Sequence, residues 1–248
     1  QLETLKYLRE NNCSWDTQSC SNAALNGHFE TLKYLRENGC PCDVNTLYSA
    51  ASRGDVEILE WALENGCEWI CSIAAKHGHL NVLEWAKNNG YSYMRLVCLT
   101  AIEHNHFEIV KWTKENNFPW SISHTACAAL HGCFEILKYL RENGCSWDCN
   151  VCTNAAYIGN LEMLKWARQN GCPWDKHTCS NAVIRNHLSI LRWAVEQGCP
   201  HGKIYISRMF EQYMDLTWCN EQEINFFVCE DDKNWLNTID TLIIPTFN

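Results

Sequence analysis

A seven-residue string recurs along this chain at fixed distance, and that recurrence restricts the fold more than any other feature. Glu142 to Asp148 reads ENGCSWD and Gln169 to Asp175 reads QNGCPWD, with earlier forms ending at Asp16 and Asp43. The residue before the cysteine position is Asn12, Gly39, Gly66, Gly90, Asn117, Gly144, Gly171 or Gly198. Successive members lie 27 residues apart, except that Gly66 and Gly90 are 24 apart. The three missing residues are assigned to the loop after Glu68 and Trp69, because deletions are tolerated best in loops. A second column holds Gly27, Gly54, Gly78, Asn105, Gly132, Gly159 and Asn186. Gly and Asn are the residues most at ease in the left-handed conformation that ends a helix. Eleven of the twelve glycines fall in these two columns. Each repeat therefore reads as helix, tight turn, helix, tight turn.

The first helix of each repeat ends on a small pair: Ala23-Ala24, Ala50-Ala51, Ala74-Ala75, Ala101-Ile102, Ala128-Ala129, Ala155-Ala156 and Ala182-Val183. Side chains this small imply close approach of helix backbones. The second helix carries large apolar residues over most of its circumference, as in Phe134, Ile136, Leu137, Tyr139 and Leu140. Such a helix must be wedged between neighbours, as stacked repeats provide. Its polar side shows Glu and Lys three apart, for example Glu30 with Lys33 and Glu135 with Lys138. These pairs contribute ~0.2–0.5 kcal/mol each and need no functional explanation. Two aromatic columns follow the same period. One is Tyr7, Tyr34, Trp61, Trp85, Trp112, Tyr139, Trp166 and Trp193; the other is Trp15, Trp69, Tyr93, Trp120, Trp147 and Trp174, with Cys42 and His201 as exceptions. Packing in the core and between repeats is expected of both.

The repeat also explains most of the seventeen cysteines. Cys13, Cys40, Cys67, Cys145, Cys172 and Cys199 occupy the turn; Cys20, Cys71, Cys98, Cys152 and Cys179 occupy the first helix. Cys145, Cys149 and Cys152 form a C-x3-C-x2-C string, a spacing that can hold an iron–sulfur cluster. Two of its members belong to independent columns, so the string is read as coincidence. Disulfides between repeats are not expected, because packed helices lie ~8–10 Å apart and bridged Cα atoms rarely exceed ~7 Å. Buried free thiols act as small hydrophobes. They indicate a reducing compartment, cytoplasm by expectation, with the nucleus or a host-cell cytoplasm as alternatives.

The formal charge of −9, with Lys and Arg dispersed, argues against a nucleic-acid footprint. No apolar run approaches the ~20 residues needed to span a bilayer, so no membrane partner is expected. The chain opens on QLETLKYLRE without an initiator Met and supplies only a second helix and turn over residues 1–16. An upstream segment is expected. No nucleophile–base pairing, phosphate loop or paired-carboxylate signature appears. No catalytic residue, cofactor or metal is assigned. The alternative, a metal- or thiol-based redox protein, would use the abundant Cys and His, including His77-Gly78-His79 and His104-Asn105-His106.

Ala23-Ala24-Leu25-Asn26-Gly27-His28-Phe29-Glu30 and its counterparts resemble the ankyrin repeat. The resemblance covers residues 1–201: a partial repeat over 1–16 and seven further repeats. The Cys-Pro-Trp-Asp variant resembles arrays of large DNA viruses and protists, sometimes appended to an F-box. It implies an all-α, ankyrin-like solenoid of helix-turn-helix repeats. The usual period is 33, and the Thr-Pro-Leu-His start of the first helix is missing. The projecting β-hairpins are therefore expected to be minimal or absent. The family's histidine after the turn implies that His28, His79, His106 and His187 hydrogen-bond backbone between repeats. Residues 202–248 are expected to form a degenerate cap, with Ile206 and Met209-Phe210 in first-helix columns and Glu221 to Glu230 as a second helix. The final TLIIPTFN is a strand-like tail or a truncated continuation.

The resemblance also implies a monomer that binds an unidentified protein on its concave helix face, as scaffold or substrate-recruiting adaptor. The candidate residues are the pairs after the alanines, which vary most within the regular frame. They are Leu25-Asn26, Ser52-Arg53, Lys76-His77, Glu103-His104, Leu130-His131, Tyr157-Ile158 and Ile184-Arg185. Asn45, Asn150, Lys176 and His177 extend them. Leu130, Tyr157 and Ile184 are expected to form an exposed apolar hot spot, because such a patch is costly without a partner.

Overall fold

In a computed structural model of the chain, the described residues are 2–64, 71–91, 96–201, 203–207 and 225–229. They fall in two compact units, Gln1–Phe118 and Pro119–Asn248. The first contains α1 (Leu2–Glu10), α2 (Thr17–Leu25), α3 (Phe29–Glu37), α4 (Val44–Arg53), α5 (Val56–Glu64), α6 (Cys71–Lys76), α7 (Leu80–Asn88), α8 (Val97–Glu103) and α9 (Phe107–Glu115). The second contains α10 (Ile122–Leu130), α11 (Phe134–Glu142), α12 (Cys149–Ile158), α13 (Leu161–Gln169), α14 (Lys176–Ile184) and α15 (Leu188–Glu196), followed by β1 (Lys203–Ser207) and β2 (Asn225–Cys229). The repeat array is all-α. Its second helices are the nine-residue apolar segments read from the sequence.

Four of the first helices start on the aspartate that closes the repeated string. The carboxylates of Asp43, Asp148 and Asp175 accept from the backbone N–H groups of Asn45, Asn150 and His177 at 3.0, 3.0 and 2.9 Å. Asp16 instead accepts from Ser19 at 3.3 Å. Each bond satisfies a donor that the helix start leaves without a partner. Both turn columns are left-handed, with φ of +57° at Asn105 and +78° at Gly54. Beyond each turn the next N–H returns to the end of the helix, as Asp55 does to Ala50 at 3.1 Å and Cys40 to Leu35 at 2.9 Å.

The alanine pairs lie where successive first helices meet, α2 on α4 and α4 on α6 in one unit, α10 on α12 and α12 on α14 in the other. Ala24, Ala50, Ala74, Ala128, Ala155 and Ala182 are wholly buried. Beneath them the second helices insert Leu32, Leu59, Leu83, Leu137 and Leu164. Burial of each such side chain contributes ~1.5–3 kcal/mol. The second helices approach one another less closely. Aromatic pairs bridge the gaps edge to face: Trp15 with Tyr34, Trp120 with Tyr139, Trp147 with Trp166 and Trp174 with Trp193, at centroid distances of 5.7–6.3 Å. These rings join one repeat to the next, but most are half-buried rather than core residues.

The segment after the array departs from expectation. Lys203–Ser207 and Asn225–Cys229 are strands paired in parallel, Ile206 opposite Val228. Ile206 therefore does not continue a first helix, and residues 225–229 do not form a second. Both segments are rich in β-branched and aromatic residues, which favour a pleated strand. Both also lack the alanine pair on which a further helix would dock. Met209-Phe210, the final TLIIPTFN, and the shortened loop with Gly66, Cys67 and Trp69 lie outside the described residues, as does Tyr93.

Candidate functional site

A helix places residues four apart on one side. Counting back in fours from the variable pair gives one stripe per first helix: Thr17, Ser21 and Leu25 on α2; Val44, Tyr48 and Ser52 on α4; Ile122, Ala126 and Leu130 on α10. Within these three stripes Leu25, Val44, Tyr48 and Ile122 stand 51, 47, 41 and 45 % exposed. Only Leu25 belongs to the column singled out by sequence variation. Val44, Tyr48 and Ile122 were missed there, although the spacing of four was available to find them.

The remaining candidates divide by burial. Asn26, Arg53, Lys76, His77, Glu103, His104, His131, Lys176 and Arg185 are exposed, while Ser52, Ile158, His177, Leu130, Tyr157 and Ile184 are half-buried. The last three therefore do not form the exposed apolar patch expected of them. Arg185 lays its guanidinium 4.2 Å from the centre of the Tyr157 ring, and the Ile158 Cδ1 lies 3.5 Å from the place a Cβ on Gly132 would occupy. Asn45 and Asn150 turn their amides onto Asp43 and Asp148 at 2.8 and 3.0 Å, reinforcing the helix start. On the first unit Tyr48 meets His77 edge to face at 6.4 Å. Partial burial, then Lys76 and the neighbouring imidazoles, holds the His77 pKa below its ordinary value.

The histidine column fixes this side in place. Nε2–H of His79, His106 and His187 donates to the carbonyls of Ser52, Lys76 and Tyr157 at 2.6, 2.8 and 3.2 Å. A carbonyl only accepts, so the proton must sit on Nε2. The same rings cover the turn glycines: a Cβ on Gly54, Gly78 or Gly159 would come within 2.6–2.7 Å of imidazole atoms. Asn154 and Asn181 add amide bonds to the preceding repeat, at Ala126 and Thr153. Thus the variable residues sit on a backbone that the next repeat clamps.

Most of the described thiols are placed by the repeat itself. Cys40, Cys145, Cys172 and Cys199 each donate S–H to the carbonyl of the residue that starts the first helix of the same repeat, at 3.2–3.5 Å. Of the C-x3-C-x2-C string, Cys145 faces Ser121, Cys152 faces Cys172, and Cys149 faces Asp175. Burial, with the Asp175 charge, pushes Cys149 up to about 11. The exception is Cys42, which replaces the turn tryptophan. In other repeats an arginine stacks on that ring, Arg141 on Trp147 and Arg168 on Trp174, both at 4.1 Å. Here a hydrogen bond from Cys20, opposed by burial and aided by the Arg36 charge, brings the Cys42 thiol down to about 7.

Among the described residues, no helix is long and apolar enough to cross a membrane. No curated protein matches the chain in sequence. Residues 20–63 and 123–168 match the family model for ankyrin repeats in many copies, one stretch in each unit. Both contain the alanine pair, the left-handed glycine turn and the apolar second helix described above. Repeats of this kind are generally protein–protein interaction modules, and these two stretches of the chain are ankyrin repeats.

Proposed function

We propose that this chain is a binding module for another protein, an adaptor that holds its target along the exposed stripe of the first helices. The observation that carries this reading is the placement of Leu25, Val44 and Tyr48 in the first unit. Three large apolar side chains, each more than two-fifths exposed, occupy one stripe position or another on the same side of their helices. Exposed apolar side chains concentrated on one side mark interaction surfaces. Arg53, Lys76, His77 and His104 give that side a polar border, the usual anatomy of an interface. Tyr48 is the anchor, since tyrosine buries a large rigid area at small entropic cost and dominates many interfaces. The free thiols of the described cysteines support a reducing compartment, cytoplasm or nucleus.

A photo-crosslinking residue at position 48, used with cell extract, should trap a partner that mass spectrometry identifies. With that partner purified, Tyr48→Ala should weaken binding by about tenfold or more without lowering the melting temperature. Undiminished affinity after joint replacement of Leu25, Val44 and Tyr48 by serine would exclude this surface.

A further inference from the structure

A second recognition site lies on the side of the second helices. Because the first helices close on alanines and the second helices stand apart, an open groove forms between α13 and α15. It encloses about 440 Å³ and is lined by Lys165, Arg168, Gln169, Trp174, Trp193 and Gln197. Two indoles, two cations and two amides line it, and no carboxylate does among the described residues.

Lys165 is set apart from its counterparts. Lys33, Lys111 and Lys138 each pair with the glutamate three residues earlier at 2.8–3.1 Å and lie over the phenylalanine that begins their helix. In α13 that first residue is Leu161, which offers no ring. Lys165 instead points toward Trp193, its Nζ 5.8 Å from the ring centre, and it makes no ion pair among the described residues. Arg168 is held flat on Trp174 at 4.1 Å and donates to the Cys172 carbonyl, which leaves further N–H donors on the guanidinium. The matching groove of the first unit, of about 450 Å³, is lined by Glu60, Leu63, Glu64, Trp85, Asn89 and Tyr91. There Glu60 stands in the column of Lys165 and Leu63 in that of Arg168. The repeat frame is thus shared while the charge at the groove is reversed.

We propose that the α13–α15 groove binds an acidic peptide segment, with a carboxylate on Lys165 and Arg168 and an adjoining apolar side chain against Trp174 and Trp193. Charge complementarity selects the carboxylate, and the indole walls select its apolar neighbour. A nucleic-acid strand is disfavoured, because two cations on a chain of net charge −9 make a poor track for a polyanion. The site is independent of the first-helix stripe.

The test is fluorescence anisotropy of the full chain with a labelled octapeptide of alternating glutamate and leucine. Binding should weaken with salt, and Lys165→Glu should weaken it by about tenfold or more. Lys165→Glu should also raise affinity for the lysine–leucine counterpart, while Tyr157→Ala and Tyr48→Ala leave both unchanged. Circular dichroism verifies that Lys165→Glu keeps its helices. Absence of binding, equal binding of a glutamine–leucine peptide, indifference to Lys165→Glu, or tighter binding of oligothymidylate would each overturn the proposal.

Discussion

The His79 imidazole donates from Nε2 to the Ser52 carbonyl at 2.6 Å while its Nδ1 edge lies 2.6 Å from the place a Cβ on Gly54 would occupy. One ring therefore joins two repeats and excludes every side chain from the turn beneath it. Gly54 is required twice over, for its φ of +78° and for the space under the ring.

Gly54→Ala should accordingly cost more than Gly90→Ala. Gly90 shares the φ of +78° but has nothing within 4 Å of an added Cβ. A strained left-handed alanine costs ~1–3 kcal/mol, and at Gly54 the collision adds to it. Urea denaturation of both variants measures the difference. Adding His79→Ala to Gly54→Ala should relieve the collision, so the double variant should be more stable than the sum of the singles predicts.

Acid should destabilise the second unit through His124. Burial holds its pKa below the ordinary 6.5, opposed by a weaker bond to the Ser121 backbone. Its Nδ1 accepts from the Ser121 N–H at 3.0 Å, which needs the unprotonated ring. A depressed folded-state pKa means that the unfolded chain binds the proton first as pH falls below about 6.5. The stabilisation is whole above that value and is lost as pH falls toward the folded-state pKa. His124→Gln keeps an acceptor at the third helical position without titrating. Denaturation at pH 7 and pH 5 should show a smaller loss for this variant than for the parent.

Cys42 should be alkylated by iodoacetamide with a rate that inflects near pH 7, where its thiol titrates to about 7. The thiolate is the nucleophile, so the rate rises with pH through that value. Cys20→Ala removes the principal hydrogen bond and Arg36→Gln the neighbouring charge, and each should move the inflection upward. Mass spectrometry of peptides labelled at pH 6 and pH 8 measures it. Buried Cys152, Cys172 and Cys179 should remain unlabelled in the folded chain.

Asn154→Ala should cost ~1 kcal/mol, because it removes the 2.9 Å bond to the Ala126 carbonyl. Asn22→Ala should cost less, since the exposed Asn22 side chain accepts from Gln18 on its own helix. Thermal melts of the two variants provide the comparison.

The repeat was legible because its signals are local. Left-handed turns admit few residues other than Gly and Asn, and alanine pairs mark close helices whatever surrounds them. Even the shortened repeat left its mark: His79 reaches Ser52 across 27 residues where His106 and His187 reach their carbonyls across 30, so the three missing residues lie between donor and acceptor and the contact is kept. The candidate surface was less legible. Variation flags a position as tolerant but not as exposed, and Tyr157 is covered by Arg185, a partner that a column of residues does not reveal. Tyr48 went unnoticed because its column holds small residues in most other repeats. The strands after Lys203 were misread because a weak continuation of register was preferred to the β-branched composition of the segment. Asp16, Asp43, Asp148 and Asp175 stood in plain view as the last letter of the string, but their role depends on where the helix begins.

The hydrogen bonds described between repeats, from His79, His106, His187, Asn154 and Asn181, span at most 30 residues. During synthesis at ~5–20 residues per second, the donor for each waiting carbonyl emerges within a few seconds. A ribosome making this chain never holds a half-built repeat for long, and each new histidine seals the turn made just before it.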